Sequence, residues 1–228
     1  MIYIGLDDTD NLESRGTGHL ARQIATLLSA DYSVGGVTRH QLLVDPRVPY
    51  TKNNSASAIL IEGNGTTDLD GLAGRIREYM LSDFYEGSDP GLCVAVDPPA
   101  SLSDFGRRVK REVVAQEEAR ALASQTGTIL FGLGGSEDGV IGALSAVGLA
   151  ASGDDGRYVL VGRSRELAGL QPISAVLEAG ISAVRTNDGQ VVTDGMVQTE
   201  KIRPARRGGL PVLVVEHNGT HWHPLKLD

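Results

Sequence analysis

The chain has 228 residues, enough for one large or two small domains, and 41 % of them are apolar, an ordinary share for a globular protein with a buried core. Its 21 basic and 29 acidic residues give a formal net charge of −8, which argues against indiscriminate binding to a polyanion but leaves room for a local basic patch. No apolar stretch nears the ~18 residues of a spanning helix, and residues 1–6 run straight into acidic residues, too short for a signal peptide. The sequence therefore predicts a cytoplasmic protein with no membrane partner.

In chain order, residues 2–6 form an apolar run that ends at acidic residues, and Leu20, Ile24, Leu27 and Leu28 then recur at helical spacing. Residues 32–44 read as extended, and 56–62 as a second strand beyond a polar loop. Leu69, Leu72, Ile76 and Met80 mark a second helix, and residues 92–96 a further strand holding the single cysteine, Cys93, as a small buried hydrophobe. Residues 1–98 thus read βαββαβ, the order of a ferredoxin-like split unit, and place the chain in the α+β class. Pro98-Pro99 closes that unit. Ser101 and Asp104 predict the start of one long helix reaching about Ser124. Residues 128–131 then lead through the glycine-rich segment 132–139 into a small-residue helix over 140–151. Beyond Gly156 short strands are expected at 158–161, 190–193 and 211–215, with a closing hairpin around Asn218-Gly219. The predicted division is 1–98 and 99–228, the second part holding helices, the glycine-rich loop and short C-terminal strands, and the two parts open to interleaving.

Asp7, Asp8 and Asp10 put three carboxylates within four residues at a strand end, where they repel one another without a cation. Magnesium suits hard oxygen ligands and commonly completes its shell from substrate phosphates and water. The bland alternative is an acidic surface turn with Asp10 or Asn11 bonding its own backbone. Gly16, Thr17 and Gly18 open the first helix, so free amides and a hydroxyl lie near the same strand end. These residues predict a nucleoside triphosphate held with Mg, with Asp7, Asp8 and Asp10 as metal ligands and Thr17 beside the phosphates. Gly134, Gly135 and Gly139 offer a second backbone wrap for phosphate before a helix, or merely a glycine turn; the lysine and Ser/Thr of a P-loop are absent. Glu137 and Asp138 could bind metal, cap the helix or orient an acceptor. Arg47, Lys52 and Arg163 are candidate positive charges. Lys201, Arg203, Arg206 and Arg207 form a dense basic run beside Pro204 and Gly208-Gly209, which could touch phosphate but reads first as a solvated loop. His217, His221 and His223 flank a hairpin, with nothing nearby to complete a zinc site. No Gly-x-Ser-x-Gly is present to support a serine nucleophile.

Ile4-Gly5-Leu6-Asp7-Asp8-Thr9-Asp10, then Thr17 with Leu20-Ala21, Pro46-Arg47-Val48-Pro49, Gly139-Val140-Ile141-Gly142-Ala143-Leu144 and Tyr158-Val159-Leu160-Val161, resemble in sequence and order the archaeal tRNA-isoleucine 2-agmatinylcytidine synthetase family. The resemblance implies an ATP-using, kinase-like part carrying the Asp-rich motif and a functional threonine, at Thr17 here and a possible phosphoryl acceptor, beside a ferredoxin-like part. It is expected to cover nearly all of this chain and the N-terminal half to two thirds of the family, without the OB-fold and zinc ribbon. Residues 50–56 depart from the family, which has a tryptophan and a more basic run there. The expected activity is an ATP- and Mg-dependent ligase or kinase-like phosphoryl transfer to a tRNA or a small nucleoside-like acceptor, by a homo-oligomer or with a separate RNA-binding partner. The alternatives are a non-catalytic nucleotide-binding module or partner subunit of a tRNA-modification complex, and an inert acidic turn.

Overall fold

A computed structural model describes residues 1–9, 15–48, 53–63 and 66–227. The first half follows the expected order: β1 (Ile2–Asp7), α1 (Thr17–Leu28), β2 (Val34–Gln41), β3 (Ser55–Ile61), α2 (Leu69–Ser82) and β4 (Gly91–Val96). Then come α3 (Ala100–Val109), α4 (Gln116–Thr126), β5 (Ile129–Gly132) and α5 (Gly139–Ser152). The remainder is β6 (Arg157–Leu160), β7 (Leu170–Pro172), α6 (Ile173–Glu178), β8 (Ala183–Thr186), β9 (Met196–Gln198), β10 (Ala205–Arg207), β11 (Leu210–His217) and β12 (Trp222–Pro224). Among the described residues no helix is long and apolar enough to cross a membrane.

All strands join one mixed sheet, ordered β5-β4-β1-β3-β2-β6-β10-β11-β12-β9-β7, with β8 parallel to β11. β1 sits between β4 and β3 and is antiparallel to both. Alternation along β1 divides its side chains between two cores. Ile2, Ile4 and Leu6 are buried with Leu20, Ile24 and Leu28 of α1 and Leu72, Ile76 and Met80 of α2. The opposite face packs on α5, which is buried almost all round and in turn covered by α3. An all-apolar helix can persist only when enclosed in this way. Gly5 makes the approach possible: a Cβ there would overlap the Ala143 carbonyl and come within 3.0 Å of Val147. A third cluster, built from Ile173, Val184, Leu213 and Val215 among others, fills the C-terminal part.

Several expectations change. The single helix over 101–124 is two, starting at Ala100 behind Pro99 rather than capped by Ser101. The amides of Arg111 and Glu112 close on the Arg108 carbonyl, Val114 is buried, and a Glu118 carboxylate oxygen accepts from the Ala115 amide at 3.2 Å to open the second helix. Residues 190–193 form no strand; they fold back on Thr186, whose amide donates to the Gln190 carbonyl, and make one isolated bridge from Val191 to Arg185. The Asn218-Gly219 hairpin is present, with Asn218 Oδ1 accepting from the amides of Thr220 and His221, both at 3.0 Å. Cys93 is fully buried in the second core, where desolvation pushes its thiol pKa well up.

Candidate functional site

β1 delivers Asp7 to the end of the sheet, and the chain turns at once: Asp8 has φ 48°, in the left-handed region that Asp tolerates better than most residues. On the far side of the same opening Glu137 also has a positive φ, 64°. Between these turns lies a cleft of about 610 Å³. It is floored by Asp7 and Asp8, walled by Arg47, Asn53 and Asn54 between β2 and β3, and closed by residues 112–117 and by Ser136, Asp138, Gly139 and Gly142 at the start of α5. The break between α3 and α4 therefore builds one wall, which a continuous helix would not supply.

The start of α5 reaches Asp7 through glycine. A Cβ on Gly142 would overlap the Asp7 carboxylate and lie 2.9 Å from Asp7 Cβ, so only glycine lets that turn stand against the acid. Gln116 of α4 braces the loop, donating to the Ser136 carbonyl at 2.9 Å and to Asp138 Oδ1 at 3.1 Å, while Arg120 pairs with Glu137. Arg47 is itself held: its amide, Nε and Nη2 all donate to the Asp45 carboxylate, which keeps the Asp45 pKa well below the usual carboxylate range.

The residues singled out in the sequence fall in several separate places. Asp7, Asp8 and Gly139 share the cleft with Asp138 and Arg47. Gly16 lies in a smaller neighbouring cleft of about 310 Å³ with Thr9, Arg15 and His19, and Gly18 faces Arg22 and Ser57. Thr17 is buried between, its hydroxyl accepting from the Thr9 hydroxyl at 3.1 Å, so the strand-end turn is tied to the first residue of α1. Gly134 abuts the Phe84 ring and Gly135 the Asp89 carboxylate, away from the cleft lining. In their loop the Ser136 amide donates to Asp89, and the Leu133 and Gly139 amides donate to the carbonyls of Pro90 and Asp89. Asp10 and Lys52 lie outside the described residues, and Arg163 is exposed on the loop after β6. The basic run is not a solvated loop throughout: Arg206 is 5 % exposed, its guanidinium donating to Ala150 O at 2.8 Å, Gly209 O at 2.6 Å and the Tyr158 hydroxyl.

Sequence reading gave no site role to Gly142, Gln116 or Asp89, Gly142 appearing only within the motif 139–144. The glycine spacing 139, 142 and 148 in a small-residue helix was the available signal for close approach; nothing marked Asp89. It also missed a buried cluster under β2. His40, fully buried, meets Thr38 Oγ1 through Nε2 at 2.8 Å and Asp155 Oδ1 through Nδ1 at 2.9 Å, and Asp155 also pairs with Lys110. Burial lowers the His40 pKa despite the carboxylate. Burial alone would raise Asp155, but the hydrogen bonds from His40 and Lys110 hold it below its ordinary value.

Among the described residues no three His, Cys, Asp or Glu side chains are grouped to hold a metal ion. Two carboxylates at a cleft floor nonetheless fit Mg, which is usually bound by one or two carboxylates together with substrate phosphates and water.

No protein-family model matches the chain. It is similar to the tRNA(Ile2) 2-agmatinylcytidine synthetase TiaS of Cenarchaeum symbiosum, 26 % identical over 154 residues, which are 64 % of this chain and 33 % of the relative. The TiaS of Methanopyrus kandleri is 27 % identical over 157 residues, 66 % of this chain and 34 % of the relative. This part of the chain is homologous to TiaS. Among solved structures, the TiaS–tRNA(Ile2)–ATP complex superposes with a TM-score of 0.57 at 25 % identity, covering 64 % of this chain and 36 % of that one. A tRNA fluorescent labeling enzyme gives 0.57 at 26 %, covering 64 % and 35 %. The mixed α/β architecture with a large sheet thus matches TiaS structures. The chain spans about one third of the length of these relatives, and the likeness takes in about two thirds of it, less on both counts than the motifs alone suggested.

Proposed function

We propose that this chain is an ATP- and Mg-dependent enzyme of the TiaS type, transferring a phosphoryl group to a tRNA or a small nucleoside-like acceptor. The observation that carries the reading is the convergence of Asp7 and Asp8 with the first turn of α5 in one cleft of about 610 Å³, within the roughly 300–1,000 Å³ usual for small-ligand sites. Homology to a synthetase solved with tRNA(Ile2) and ATP supports the choice of ligands.

In this reading Asp7 and Asp8 hold Mg, with Asp10 a third candidate. When bound, the ion neutralises charge on the phosphates, which is most of what phosphoryl transfer asks of a protein. Arg47 stands on the opposite wall with its guanidinium paired to Asp45, so a phosphate there would share or displace that carboxylate, and Gly139 with Gly142 lets backbone rather than side chain border the phosphates. Thr17, fixed by Thr9, stands at the base of the strand-end turn, with the Gly16 and Gly18 backbone beside it. As a phosphoryl acceptor its Oγ1 would bond to phosphorus while the anhydride bond breaks, the departing nucleotide phosphate taking the bonding pair and the hydroxyl proton. Gly134 and Gly135 are assigned to shaping the loop that carries Ser136 and Asp138.

The order β4-β1-β3-β2, antiparallel throughout, supports reading residues 1–98 as the ferredoxin-like split unit. Residues 99–228 then interleave with it, α5 and α3 covering the face that α1 and α2 leave open.

Thermal unfolding with ATP and Mg, singly and together, tests the function. A ligand at 100 times its Kd adds about 2.7 kcal/mol, a rise of several degrees, expected here only with both present. Asp8→Asn should remove that rise while leaving the fold intact, since Asn also tolerates a left-handed φ. No rise in the wild type at saturating ligand would refute the proposal.

A further inference from the structure

On the α1 side of the sheet, beyond the apolar core over β1, a separate concentration of positive charge lies near β2 and β6. Leu6 of β1 pairs with Ser57 of β3, Ser57 with Arg39 of β2, and Arg39 with Arg157 of β6. These residues form a transverse row on the α1 face, starting one position before Asp7, with strands about 4.8 Å apart. Three more arginines reach this region from separate segments. Arg22 of α1 donates to the Gly18 carbonyl at 2.8 Å, and a Cβ on Gly18 would lie 3.9 Å from both Arg22 Nη1 and Ser57 Oγ, which sets the guanidinium over β3. Arg165, after β6, donates to the Val159 carbonyl at 3.2 Å, and Val159 packs in the same core as Leu20 and Ile24 of α1. Arg203 donates to its neighbouring Ile202 carbonyl at 2.9 Å and precedes Pro204, whose carbonyl accepts from the Tyr158 amide of β6 at 2.7 Å.

Arg22 and Arg203 are half-buried and Arg165 is exposed. Among the described residues none of the three makes an ion pair. Their hydrogen-bond partners there are backbone carbonyls, with the His19 ring 3.4 Å from Arg22, and among the described residues these engage at most two of the five donors on each guanidinium. The groups feel one another: burial and then the charges of Arg165 and Arg203 lower the Arg22 pKa, and burial and then Arg165 lower that of Arg203. Gathering like charges costs free energy that a bound anion would offset.

We propose that Arg22, Arg165 and Arg203 form a docking site for the phosphodiester backbone of single-stranded RNA, across the β1 end from the Asp7–Asp8 cleft. Guanidinium forks match phosphate oxygens in pairs. A small nucleotide seeks an enclosing cleft, whereas this surface is assembled from three segments, with Arg165 exposed and Arg22 and Arg203 half-buried. A polymer can lie along it and still present one nucleotide to the cleft. The inference rests on the proposed function only in that the acceptor is RNA.

Fluorescence anisotropy with a labelled oligouridylate tests it, because backbone contacts do not depend on base sequence. Arg165→Ser with Arg203→Ser should weaken binding about tenfold at low salt and flatten the plot of log affinity against log salt by about 0.7 per lost contact. The exposed single variant Arg165→Ser should give part of both effects, and Arg107→Ser, exposed on α3 on the opposite side of the sheet, neither. Unchanged affinity and slope in the double variant would overturn the proposal, as would a wild type that binds no oligouridylate while keeping its metal-dependent nucleotide response. Loss of that response with RNA binding retained would assign the arginines to the nucleotide, and also overturn it. Absence of the nucleotide response in the wild type would instead strike the proposed function.

Discussion

Gly142→Ala tests whether the first turn of α5 sets the position of Asp7. Alanine is normally the better helix former, and propensity alone favours the change by about 1 kcal/mol. At this position the new Cβ would overlap the Asp7 carboxylate and sit 2.9 Å from Asp7 Cβ. Because the Asp7 Cβ is itself too close, rotating the carboxylate does not relieve the contact; either α5 retreats from β1 or Asp7 moves with its backbone. Overpacking of this kind costs about 1–3 kcal/mol, and each kcal/mol lowers Tm by about 2–4 °C in a domain of this size. The expected fall is roughly 2–12 °C, with loss of the joint ATP and Mg stabilisation. Gly74→Ala in α2 is the control, since no heavy atom lies within 4 Å of its Cβ; it should raise Tm by about 1–4 °C and leave the ligand response alone. A Gly142→Ala protein as stable as wild type, with an unchanged ligand response, would refute the close-approach reasoning.

Three further outcomes follow from particular contacts. Burial lowers the folded pKa of His40 below 6.5, so its contribution is fully present above that pH and is lost as pH falls toward the folded value. Tm should therefore drop on acidification below 6.5, a drop that His40→Gln reduces in a pH series of melting curves; a slope unaltered by the substitution would reject the assignment. Asp89→Ala removes the carboxylate that accepts from the Ser136 amide and should cost about 1–3 kcal/mol, with faster proteolysis in 132–139 as the second readout. Arg206→Leu leaves the Ala150 and Gly209 carbonyls without their guanidinium donor and should lower Tm by roughly 4–8 °C, whereas Arg207→Leu, exposed, should change it by less than about 2 °C.

The first half of the fold was legible because its elements are long enough to show a period. Leu20, Ile24, Leu27 and Leu28 announced α1, and Leu72, Ile76 and Met80 do become the buried stripe of α2. Later elements were opaque for definite reasons. β7, β9 and β10 have three residues each, too few for alternation to register. The break between α3 and α4 carries neither Pro nor Gly; it arises because Val114 is drawn into the core while Glu118 turns back to the Ala115 amide, a tertiary demand overriding helical propensity.

The candidate site divides in the same way. Asp7 and Asp8 were visible as a charge density that a strand end cannot easily tolerate, and local chemistry was enough to find them. The partners that make a cleft of that strand end come from 42–48, 53–55, 109–117 and 136–142, and no local pattern links those segments. Glycine supplies the link in space. Gly5 and Gly142 let α5 lie against β1, and Gly91 does the same for β4, where a Cβ would come within 2.5 Å of the Val140 amide. Each would be a weak position in an isolated strand or helix. Their placement becomes intelligible only when the backbone of one element occupies the volume that a side chain of the other would fill. The same closeness fixes the start of α5 over two carboxylates, so the packing that stabilises the second core and the geometry of the candidate site are one arrangement, and a substitution that disturbs either should disturb both.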